Sequence, residues 1–263
     1  MNILDEIIAH KRKEVAVLKE SVSLKTFEKS PLFARSVNSL AKSIKGQDFG
    51  IIAEFKRKSP SAGALNETNN IVEYVQQYVD AKPAGLSVLT DKHYFGTSTN
   101  DFITLRSAFD LPMLRKEFIV DEYQLFESKA MGADCILLIA SVLTKEELLQ
   151  FSIMAKTLGM EVLVEVHHLS ELSKVPEQID IIGVNNRDLD RQVTDISISK
   201  SLADYLPLKP IRITESGIRT AEEVKSLAEL GYQGALIGES IVKSEAPKTV
   251  IERLKSKIEL LCL

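Results

Sequence analysis

Eight short apolar runs alternate with eight amphipathic stretches along this chain, and this alternation most limits the folds open to it. The apolar runs occupy residues 50–55, 85–89, 112–114, 134–139, 161–166, 179–184, 211–214 and 234–237. Helical periodicity marks residues 71–79, 101–108, 122–131, 145–158, 169–174, 198–205, 221–230 and 249–260. Gly132, Gly159 and Gly231 follow three of these stretches, as glycine commonly follows a helix. Strands that alternate with helices pair in parallel through right-handed crossovers.

This pattern predicts an α/β fold, a (β/α)₈ or TIM barrel, with apolar strands buried on both faces. An open doubly wound sheet is the competing arrangement. Such a sheet usually carries a glycine fingerprint after its first strand, whereas here the first strand runs into Lys56-Arg57-Lys58-Ser59-Pro60. The barrel is therefore favoured.

Residues 1–45 precede the first strand and predict an N-terminal helical extension. Ile3, Leu4, Ile7, Ile8, Val15 and Leu18 recur at helical spacing, with Lys11 on the other side, and a second helix is expected near 24–28. No linker-like segment divides the rest, so we expect residues 1–263 to form one domain.

The charge balance argues against a nucleic-acid partner. Lys and Arg number 33 against 37 Asp and Glu, a net charge of −4, and there is no basic block to bind phosphates. No apolar stretch reaches the length of a membrane span, and the N-terminus lacks the apolar core of a signal peptide. Cys135 lies within an apolar run and Cys262 near the C-terminus, which predicts neither disulfide nor redox motif. We expect a cytoplasmic enzyme.

Polar residues cluster where the predicted strands end, which is where barrels place their active sites. They are Glu54, Lys56 and Lys58 on the first strand, Lys116 after the third, Glu165 within the fifth, Asn185 and Arg187 after the sixth, and Glu215 after the seventh. Glu165 is flanked by apolar residues, and a carboxylate in such a strand is functional or ion-paired. Glu54 beside Lys56 could be a structural ion pair only.

A second group of residues is suited to binding an anion. Ser59 follows the first strand, Ser216 and Gly217 follow the seventh, and Gly238 and Glu239 follow the eighth. Glycine lets backbone N–H groups approach a ligand closely, and barrels often bind phosphate after strands 7 and 8. We therefore expect a phosphorylated small-molecule substrate, although these glycines could be ordinary turn residues.

Two further segments could suggest a function. His167 and His168 are adjacent, so their side chains point apart on a strand, and no spacing typical of a metal site accompanies them. Residues 91–96 follow the second strand and contain Tyr94 and Phe95. They are expected to form a mobile loop that closes over a substrate ring.

In chain order these motifs resemble the indole-3-glycerol phosphate synthase family over nearly the whole sequence. The matching segments are Glu54-Phe55-Lys56-Arg57-Lys58-Ser59-Pro60-Ser61, Ser87-Val88-Leu89-Thr90-Asp91, Leu114-Arg115-Lys116-Glu117-Phe118-Ile119, Val164-Glu165-Val166-His167, Gly183-Val184-Asn185-Asn186-Arg187-Asp188-Leu189 and Glu215-Ser216-Gly217-Ile218. The resemblance implies a carboxy-lyase of tryptophan biosynthesis that converts 1-(2-carboxyphenylamino)-1-deoxy-D-ribulose 5-phosphate to indole-3-glycerol phosphate. It implies no cofactor and no metal, because the substrate supplies the electron-rich ring.

The resemblance also implies roles for single residues. Lys116 would be the general acid, Lys56 would hold the substrate carboxylate with Glu54 orienting it, and Glu165 would handle the proton of the dehydration. Asn185 and Glu215 would hold sugar hydroxyls, with Arg187 beside them. The phosphate contacts would come from Lys58, Ser59, Ser216, Gly217, Gly238 and Glu239. A monomer or weak self-association is expected, with possible association with other tryptophan-pathway enzymes.

Three positions depart from the family pattern: Glu117 stands where Asp is common, Ala62 where Lys is frequent, and Thr97 where a second glycine is often found. They concern loop mobility and substrate affinity rather than the reaction. The alternatives are another phosphosugar barrel enzyme, such as phosphoribosylanthranilate isomerase or a Schiff-base aldolase, and a silent phosphometabolite-binding protein.

Overall fold

Eight parallel strands close into a barrel in the computed structural model, which describes residues 3–188 and 193–256. The strands are β1 (Gly50–Phe55), β2 (Gly85–Leu89), β3 (Met113–Lys116), β4 (Cys135–Ile139), β5 (Glu161–Val166), β6 (Ile181–Asn185), β7 (Ile211–Glu215) and β8 (Gly234–Ile237). Each pairs with its neighbours in the chain, and Gly50 of β1 pairs with Gly234 of β8 to close the circle. The predicted barrel is confirmed.

Three strands extend further than hydropathy alone predicts. β3 continues through Arg115 and Lys116, β6 through Asn185, and β7 through Glu215. Pairing of Arg115 and Lys116 with Val88 and Leu89 of β2 keeps the end of β3 in the ladder. Backbone hydrogen bonds of the ladder form with polar and apolar residues alike, so the strand geometry continues through the polar residues at its end.

The helices surround the barrel in the order the sequence predicts, with several additions. They are α1 (Ile3–Ser21), α2 (Leu24–Glu28), α3 (Leu40–Lys45), α4 (Ile71–Asp80), α5 (Lys92–Phe95), α6 (Thr99–Ala108), α7 (Tyr123–Ala130), α8 (Lys145–Thr157), α9 (Ser197–Leu202), α10 (Ala221–Glu229), α11 (Glu239–Val242) and α12 (Pro247–Lys255). The extension before β1 is helical, as predicted. The predicted end of the last helix, and Cys262, lie outside the described residues.

The segment between β5 and β6 differs from the expected α-helix. Leu169–Lys174 is a 3₁₀ helix, and a second 3₁₀ turn, Ala203–Tyr205, prolongs α9. The Glu171 carboxylate accepts hydrogen bonds from the backbone N–H groups of His167 and His168, which ties this short turn to the end of β5. A 3₁₀ run of six residues is longer than usual, and the Glu171 carboxylate anchors its first turn to the strand.

The apolar side chains form two layers. One lies between the sheet and the surrounding helices, and the other fills the barrel interior, where Ile52, Leu114, Leu163 and Ile213 meet. Cys135 belongs to the inner layer and is fully buried, as predicted. Within residues 3–188 and 193–256, no helix combines the length and apolar character that a membrane crossing requires.

Helix α3 closes the lower end of the barrel, beneath the first residues of the strands. Its Leu40 and Ile44 are fully buried in the inner layer. Gly50 and Gly85 allow this approach, because a Cβ atom on Gly85 would lie 2.6 Å from Leu40 Cδ1, and one on Gly50 would lie 2.9 Å from Ile44 Cα. The opposite end, at the carboxyl ends of the strands, is the open one.

Candidate active site

A cavity of about 400 Å³ opens at the carboxyl ends of the strands. Eleven of the thirteen residues proposed from the sequence line it: Glu54, Lys56, Lys116, Glu165, Asn185, Arg187, Glu215, Ser216, Gly217, Gly238 and Glu239. They come from strands that are far apart in the chain, and the barrel brings them to one surface.

Lys116 lies between two buried carboxylates. Its Nζ is 3.0 Å from Glu165 Oε2 and also contacts Glu215 Oε2. The Asn185 side chain gives Glu165 a further hydrogen bond. A single ammonium group thus serves two acids at the floor of the cavity, an arrangement in which a proton can move between nitrogen and oxygen.

The two carboxylates have opposite electrostatic environments. Burial by itself would raise the pKa of Glu165, but the Lys116 ammonium, assisted by His167, outweighs it and lowers the pKa to about 2. Burial raises the pKa of Glu215 to about 8 against the attraction of Lys116, and the charge of Glu165 adds to the rise. Within the described chain, Glu215 Oε1 has no hydrogen-bond partner. Glu165 is the ionised member of the pair and Glu215 the one that keeps a proton more readily.

The pKa of Lys116 itself is raised. Burial would lower it, but the charges of Glu165 and Glu215, with that of Glu54, reverse the effect. Lys116 therefore stays charged at neutral pH. It is an ammonium acid rather than a neutral amine, and a neutral amine is what a Schiff-base nucleophile requires.

Two glycines make room for buried carboxylates of the cavity. A Cβ atom on Gly183 would lie 2.3 Å from Glu215 Oε1, and one on Gly238 would lie 2.4 Å from Glu54 Oε1. Gly238 was proposed from the sequence as a phosphate contact. The structure adds a second requirement for glycine there, since Glu54 occupies the space of a side chain.

Glu54, on β1, and Lys56, just after this strand, form an ion pair in which Lys56 Nζ lies 2.7 Å from Glu54 Oε1. They are two residues apart on the strand and therefore share a face, as the alternation predicts. Both line the cavity, and Lys56 is the more exposed of the two. The ammonium group of Lys56 is thus available to a ligand while Glu54 fixes its position.

Backbone and side chains at the upper edge of the cavity form a region suited to an anion. Ser216 and Gly217 have positive φ angles of 67° and 81°, which turn the chain sharply after β7. Arg187 donates to Ser61 Oγ at 2.7 Å and to Glu239 Oε2 at 3.1 Å. Lys243, which the sequence reading missed, also lines the cavity and contacts Glu239. Two cations and a tight turn face the same space.

Lys58 and Ser59 lie outside the wall of the cavity. They form a short antiparallel hairpin in which Lys58–Ser59 pairs with Gly63–Ala64. Ser59 is buried, and its Oγ accepts a hydrogen bond from the backbone N–H of Ala62. The structure thus gives Ser59 a role in shaping the turn that carries Ser61.

An apolar wall completes the cavity, and sequence reasoning found only part of it. Its members include Ile3, Leu4 and Ile7 of α1, together with Leu89, Phe95, Phe118, Leu137, Ile139 and Leu236. Phe95 belongs to the segment expected to be a loop, but residues Lys92–Phe95 form the short helix α5, which the Asp91 side chain caps. The sequence predicted α1 only as part of a helical extension, whereas three of its residues face the cavity.

Lys11 is buried, contrary to the expectation that it lies on the outer side of α1. Its Nζ is 3.0 Å from Asp91 Oδ2, 3.2 Å from Glu117 Oε1 and 2.8 Å from Glu14 Oε2. These contacts join α1 to the segments that follow β2 and β3. A helical wheel cannot reveal such a position, because two of the three partners, Asp91 and Glu117, lie 80 and 106 residues further along the chain.

Glu117, one of the three departures from the family pattern, belongs to this cluster. Its Oε2 accepts a hydrogen bond from Thr90 Oγ1 at 2.6 Å and lies 3.6 Å from Arg115. Thr97, a second departure, is fully buried, and Ala62, the third, lies at the turn of the hairpin. None of the three lies between the carboxylates and Lys116.

His167 lies beside Glu165 rather than at a metal. Its Nε2 is 3.4 Å from Glu165 Oε1, and the ring is 95% buried. Across the described parts of the chain, no three His, Cys, Asp or Glu side chains are grouped as metal ligands would be.

A closed parallel barrel with ammonium and carboxylate groups over its strand ends, and an anion-binding edge, defines a (β/α)₈-barrel enzyme. Comparison with solved structures agrees on the fold. The chain superimposes on tryptophan synthase subunit alpha from Legionella pneumophila with a TM-score of 0.64 and 13% identity, covering 86% of this chain and 100% of the other. The chain also superimposes on 3-hexulose-6-phosphate synthase from Salmonella typhimurium, with a TM-score of 0.64 and 15% identity. That match covers 81% of this chain and 99% of the other.

Sequence comparison is more specific. The family model for indole-3-glycerol phosphate synthase matches residues 4–254. A relative of that name from Bacteroides thetaiotaomicron is 40% identical over 98% of this chain and 99% of its own length. Another relative of that name, from Chloroherpeton thalassium, is 40% identical over 93% of this chain and 96% of its own length. The chain belongs to the indole-3-glycerol phosphate synthase family, the carboxy-lyases of tryptophan biosynthesis, as the motifs implied.

Proposed function

We propose that this chain closes the indole ring of 1-(2-carboxyphenylamino)-1-deoxy-D-ribulose 5-phosphate with loss of carbon dioxide and water, giving indole-3-glycerol phosphate. The observation that carries this proposal is the placement of Lys116 between Glu165 and Glu215 on the floor of the cavity. The reaction needs an acid for an oxygen and a base for a carbon within one small space. An ammonium beside a strongly ionised carboxylate supplies both.

Ring closure comes first in this proposal. The aromatic carbon that bears the carboxylate attacks the ketone carbon, and negative charge develops on the ketone oxygen. Lys116 donates its proton to that oxygen, since its charge favours the developing alkoxide in a water-poor site. Loss of carbon dioxide then returns the electron pair to the ring. In the following dehydration the new hydroxyl leaves as water and Glu165 accepts the proton of the neighbouring carbon.

Lys56 would bind the carboxylate of the substrate. Its partner Glu54 is 2.7 Å away and only 4% exposed, so a buried carboxylate holds the ammonium at the cavity wall. A second cation near the leaving carboxylate also places a proton donor close to the departing hydroxyl. Asn185 and Glu215 would hold the hydroxyl groups of the sugar chain.

The phosphate would occupy the upper edge of the cavity. The turn at Ser216 and Gly217, the segment Gly238–Glu239, and the cation of Arg187 all face that region. Backbone N–H groups at glycine-rich turns bind phosphate because no side chain blocks their approach. Lys58 and Ser59 would support this edge from the adjacent hairpin. The apolar wall, including Phe95 and Phe118, would receive the aromatic ring.

Two observations disfavour the alternatives. An aldolase would need a neutral lysine, and the neighbouring carboxylates raise the pKa of Lys116. A silent binding protein has no use for an acid and a base together on the cavity floor. Treatment with borohydride and a ketose phosphate would trap a Schiff base in an aldolase, and we expect no trapping here.

The decisive experiment follows indole fluorescence after mixing the protein with the carboxyphenylamino-deoxyribulose phosphate. The chain contains no tryptophan, so the product signal rises against a low background. Lys116→Met should abolish turnover while substrate still binds, whereas Lys145→Met, an exposed lysine at the start of α8, should leave turnover unchanged. Equal loss of binding and turnover in Lys116→Met would contradict the role given to Lys116. A flat trace from folded wild-type protein would contradict the proposed reaction.

We further propose that residues 1–263 act as one domain, with the extension 1–45 supplying part of the cavity wall through α1. The protein would work in the cytoplasm as a monomer or weakly self-associating species, with possible contacts to other enzymes of the pathway. No nucleic acid, membrane, cofactor or metal takes part in the proposed reaction.

A further inference from the structure

We propose that the substrate phosphate displaces the Glu239 carboxylate from Arg187 and Lys243 when it binds. Lys243 is then a phosphate-binding residue, and the Glu239 side chain competes with the phosphate for both cations. This inference rests on the proposed function and deepens it. It gives roles to two side chains at the upper edge of the cavity that neither ring closure nor dehydration uses.

The Glu239 carboxylate joins the two cations in the ligand-free protein. Its Oε2 accepts a hydrogen bond from Arg187 at 3.1 Å, and its Oε1 accepts one from Lys243 Nζ at 2.7 Å. The hydrogen bond from Lys243 lowers the pKa of Glu239 against the effect of burial, and the charges of Lys243 and Arg187 add to the lowering. The carboxylate is therefore ionised at neutral pH, and an anionic ligand that approaches either cation meets it.

Glu239 differs in exposure from the other carboxylates of the cavity. Among the described residues, the others that line the cavity are each at most 4% exposed: Glu54, Glu117, Glu165 and Glu215. The Glu239 side chain is 38% exposed and that of Lys243 is 51% exposed. Separating a buried carboxylate from its cation is strongly unfavourable, whereas an exposed carboxylate exchanges its partner for water at little cost. The Glu239 side chain is thus free to move into solvent.

Arg187 would stay in place during this exchange, because a second contact holds it. Its Nη1 donates a hydrogen bond to Ser61 Oγ at 2.7 Å, whereas Nη2 is the atom that contacts Glu239. Ser61 lies in the hairpin that follows β1, so the contact does not depend on α11. Departure of Glu239 leaves one side of the guanidinium anchored and frees the other side for a phosphate oxygen.

A phosphate monoester binds these cations more strongly than a carboxylate does. It carries a charge of about −1.5 to −2 at neutral pH and three acceptor oxygens, whereas Glu239 offers one charge and two oxygens. Arg187 and Lys243 line the cavity together with Ser216 and Gly217. One phosphate can therefore accept hydrogen bonds from both cations and from the backbone of the turn. A ligand with a single charge displaces Glu239 less readily, so the carboxylate makes this edge selective for phosphate monoesters.

The test measures binding of glycerol 3-phosphate, which has the phosphate and polyol end of the proposed product, by titration calorimetry. Glu239→Gln keeps a hydrogen-bond acceptor for Arg187 but removes the charge. It should lower the dissociation constant by about 3-fold, the size expected of a partly exposed ion pair. Lys243→Met should raise the dissociation constant by about 3-fold or more, and Lys243→Arg, which keeps the charge, should bind nearly as the wild type does. The KM of the full substrate should shift in the same directions.

An exposed pair on α12 provides the matched control. Lys248 and Glu252 have the same four-residue spacing as the Glu239–Lys243 pair, with Lys248 Nζ 3.9 Å from Glu252 Oε1. Lys248→Met and Glu252→Gln change the net charge as the test variants do, and both should leave the dissociation constant unchanged. Equal shifts in the control variants would overturn the proposal, because they would reflect net charge alone.

The remaining outcomes also decide the matter. Unchanged or weaker binding in Glu239→Gln would overturn the proposal, since Glu239 would then support the bound state rather than compete with it. Unchanged binding in Lys243→Met would overturn the role of Lys243, and a wild type that does not bind glycerol 3-phosphate would overturn the exchange altogether. Calorimetry needs no turnover, so the expected shifts in a protein that forms no product would support the exchange and refute only the ring closure.

Discussion

Gly183 leaves the space that Glu215 occupies on the neighbouring strand: a Cβ atom on Gly183 would lie 2.3 Å from Glu215 Oε1. Both residues face the barrel interior, and Glu215 contacts the ammonium of Lys116. The position of the Glu215 carboxylate therefore depends on the absence of a side chain at Gly183, a residue that touches no substrate in the proposed reaction.

Gly183→Ala should accordingly lower kcat by about 100-fold, because a shift of about 1 Å in a catalytic group has effects of that size. Gly46→Ala provides the control, since a Cβ atom there would meet nothing closer than 3.4 Å and the backbone φ is an ordinary −79°. Steady-state kinetics on both variants would check this. Wild-type kcat in Gly183→Ala would show that Glu215 can move without cost.

Lys11→Met should destabilise the protein by about 3–5 kcal/mol, because it removes the cation from among buried carboxylates. Asp91 and Glu117 are both less than 4% exposed and would keep their charges without this partner. Lys13→Met, at an exposed position of the same helix, should change the free energy of unfolding little. Urea denaturation measures both variants. A loss below about 1 kcal/mol in Lys11→Met would mean that the cluster behaves like a surface ion pair.

Glu215 predicts a pH dependence of stability in an easily measured range. Its pKa is about 8 in the folded protein, against an ordinary value of 4.5. Between these values the native state holds a proton that the unfolded state has lost, so the contribution of Glu215 to stability falls as pH rises from 4.5 to 8. Urea midpoints measured from pH 5 to 8 should therefore depend less on pH in Glu215→Gln than in the wild type. Identical slopes would contradict the raised pKa.

Cys135 should be unreactive in the native protein. It is fully buried, and burial raises the pKa of its thiol well above the usual value, so little nucleophilic thiolate forms. In a Cys262→Ser variant, Cys135 is the one remaining cysteine, and a thiol-reactive dye should label the protein only after urea is added. Rapid labelling without urea would show that the inner layer opens readily.

The fold was readable from the sequence because its main signal is local. Four strands, including β1 and β5, begin and end where their apolar runs do, and glycines with positive φ follow α7, α8 and α10, as predicted. The boundaries differ from the prediction where polar residues of the candidate site prolong a strand, as Lys116 does for β3. The 3₁₀ helix after β5 was not predicted, because the apolar residues of this segment have the spacing of an α-helix.

The polar part of the site was also readable, because barrels place their chemistry at strand ends and those residues stand out in apolar strands. The rest depends on contacts between distant segments. Lys243 and Ile3 carry no local sign that they line the cavity, and Lys11 looks like a solvated lysine until Asp91 and Glu117 are placed beside it. His167 belongs to one of the motifs, but its place beside Glu165 is visible only in three dimensions.

The pairing of β1 with β8 has a consequence for the synthesis of the protein. The ribosome synthesises Gly50 long before its partner Gly234, so one edge of β1 has no partner strand until β8 is made. During that interval the unpaired N–H and C=O groups of β1 are available to any other strand. Until β8 is made, β1 therefore keeps one open edge, and slow translation of the preceding segment would lengthen that exposure.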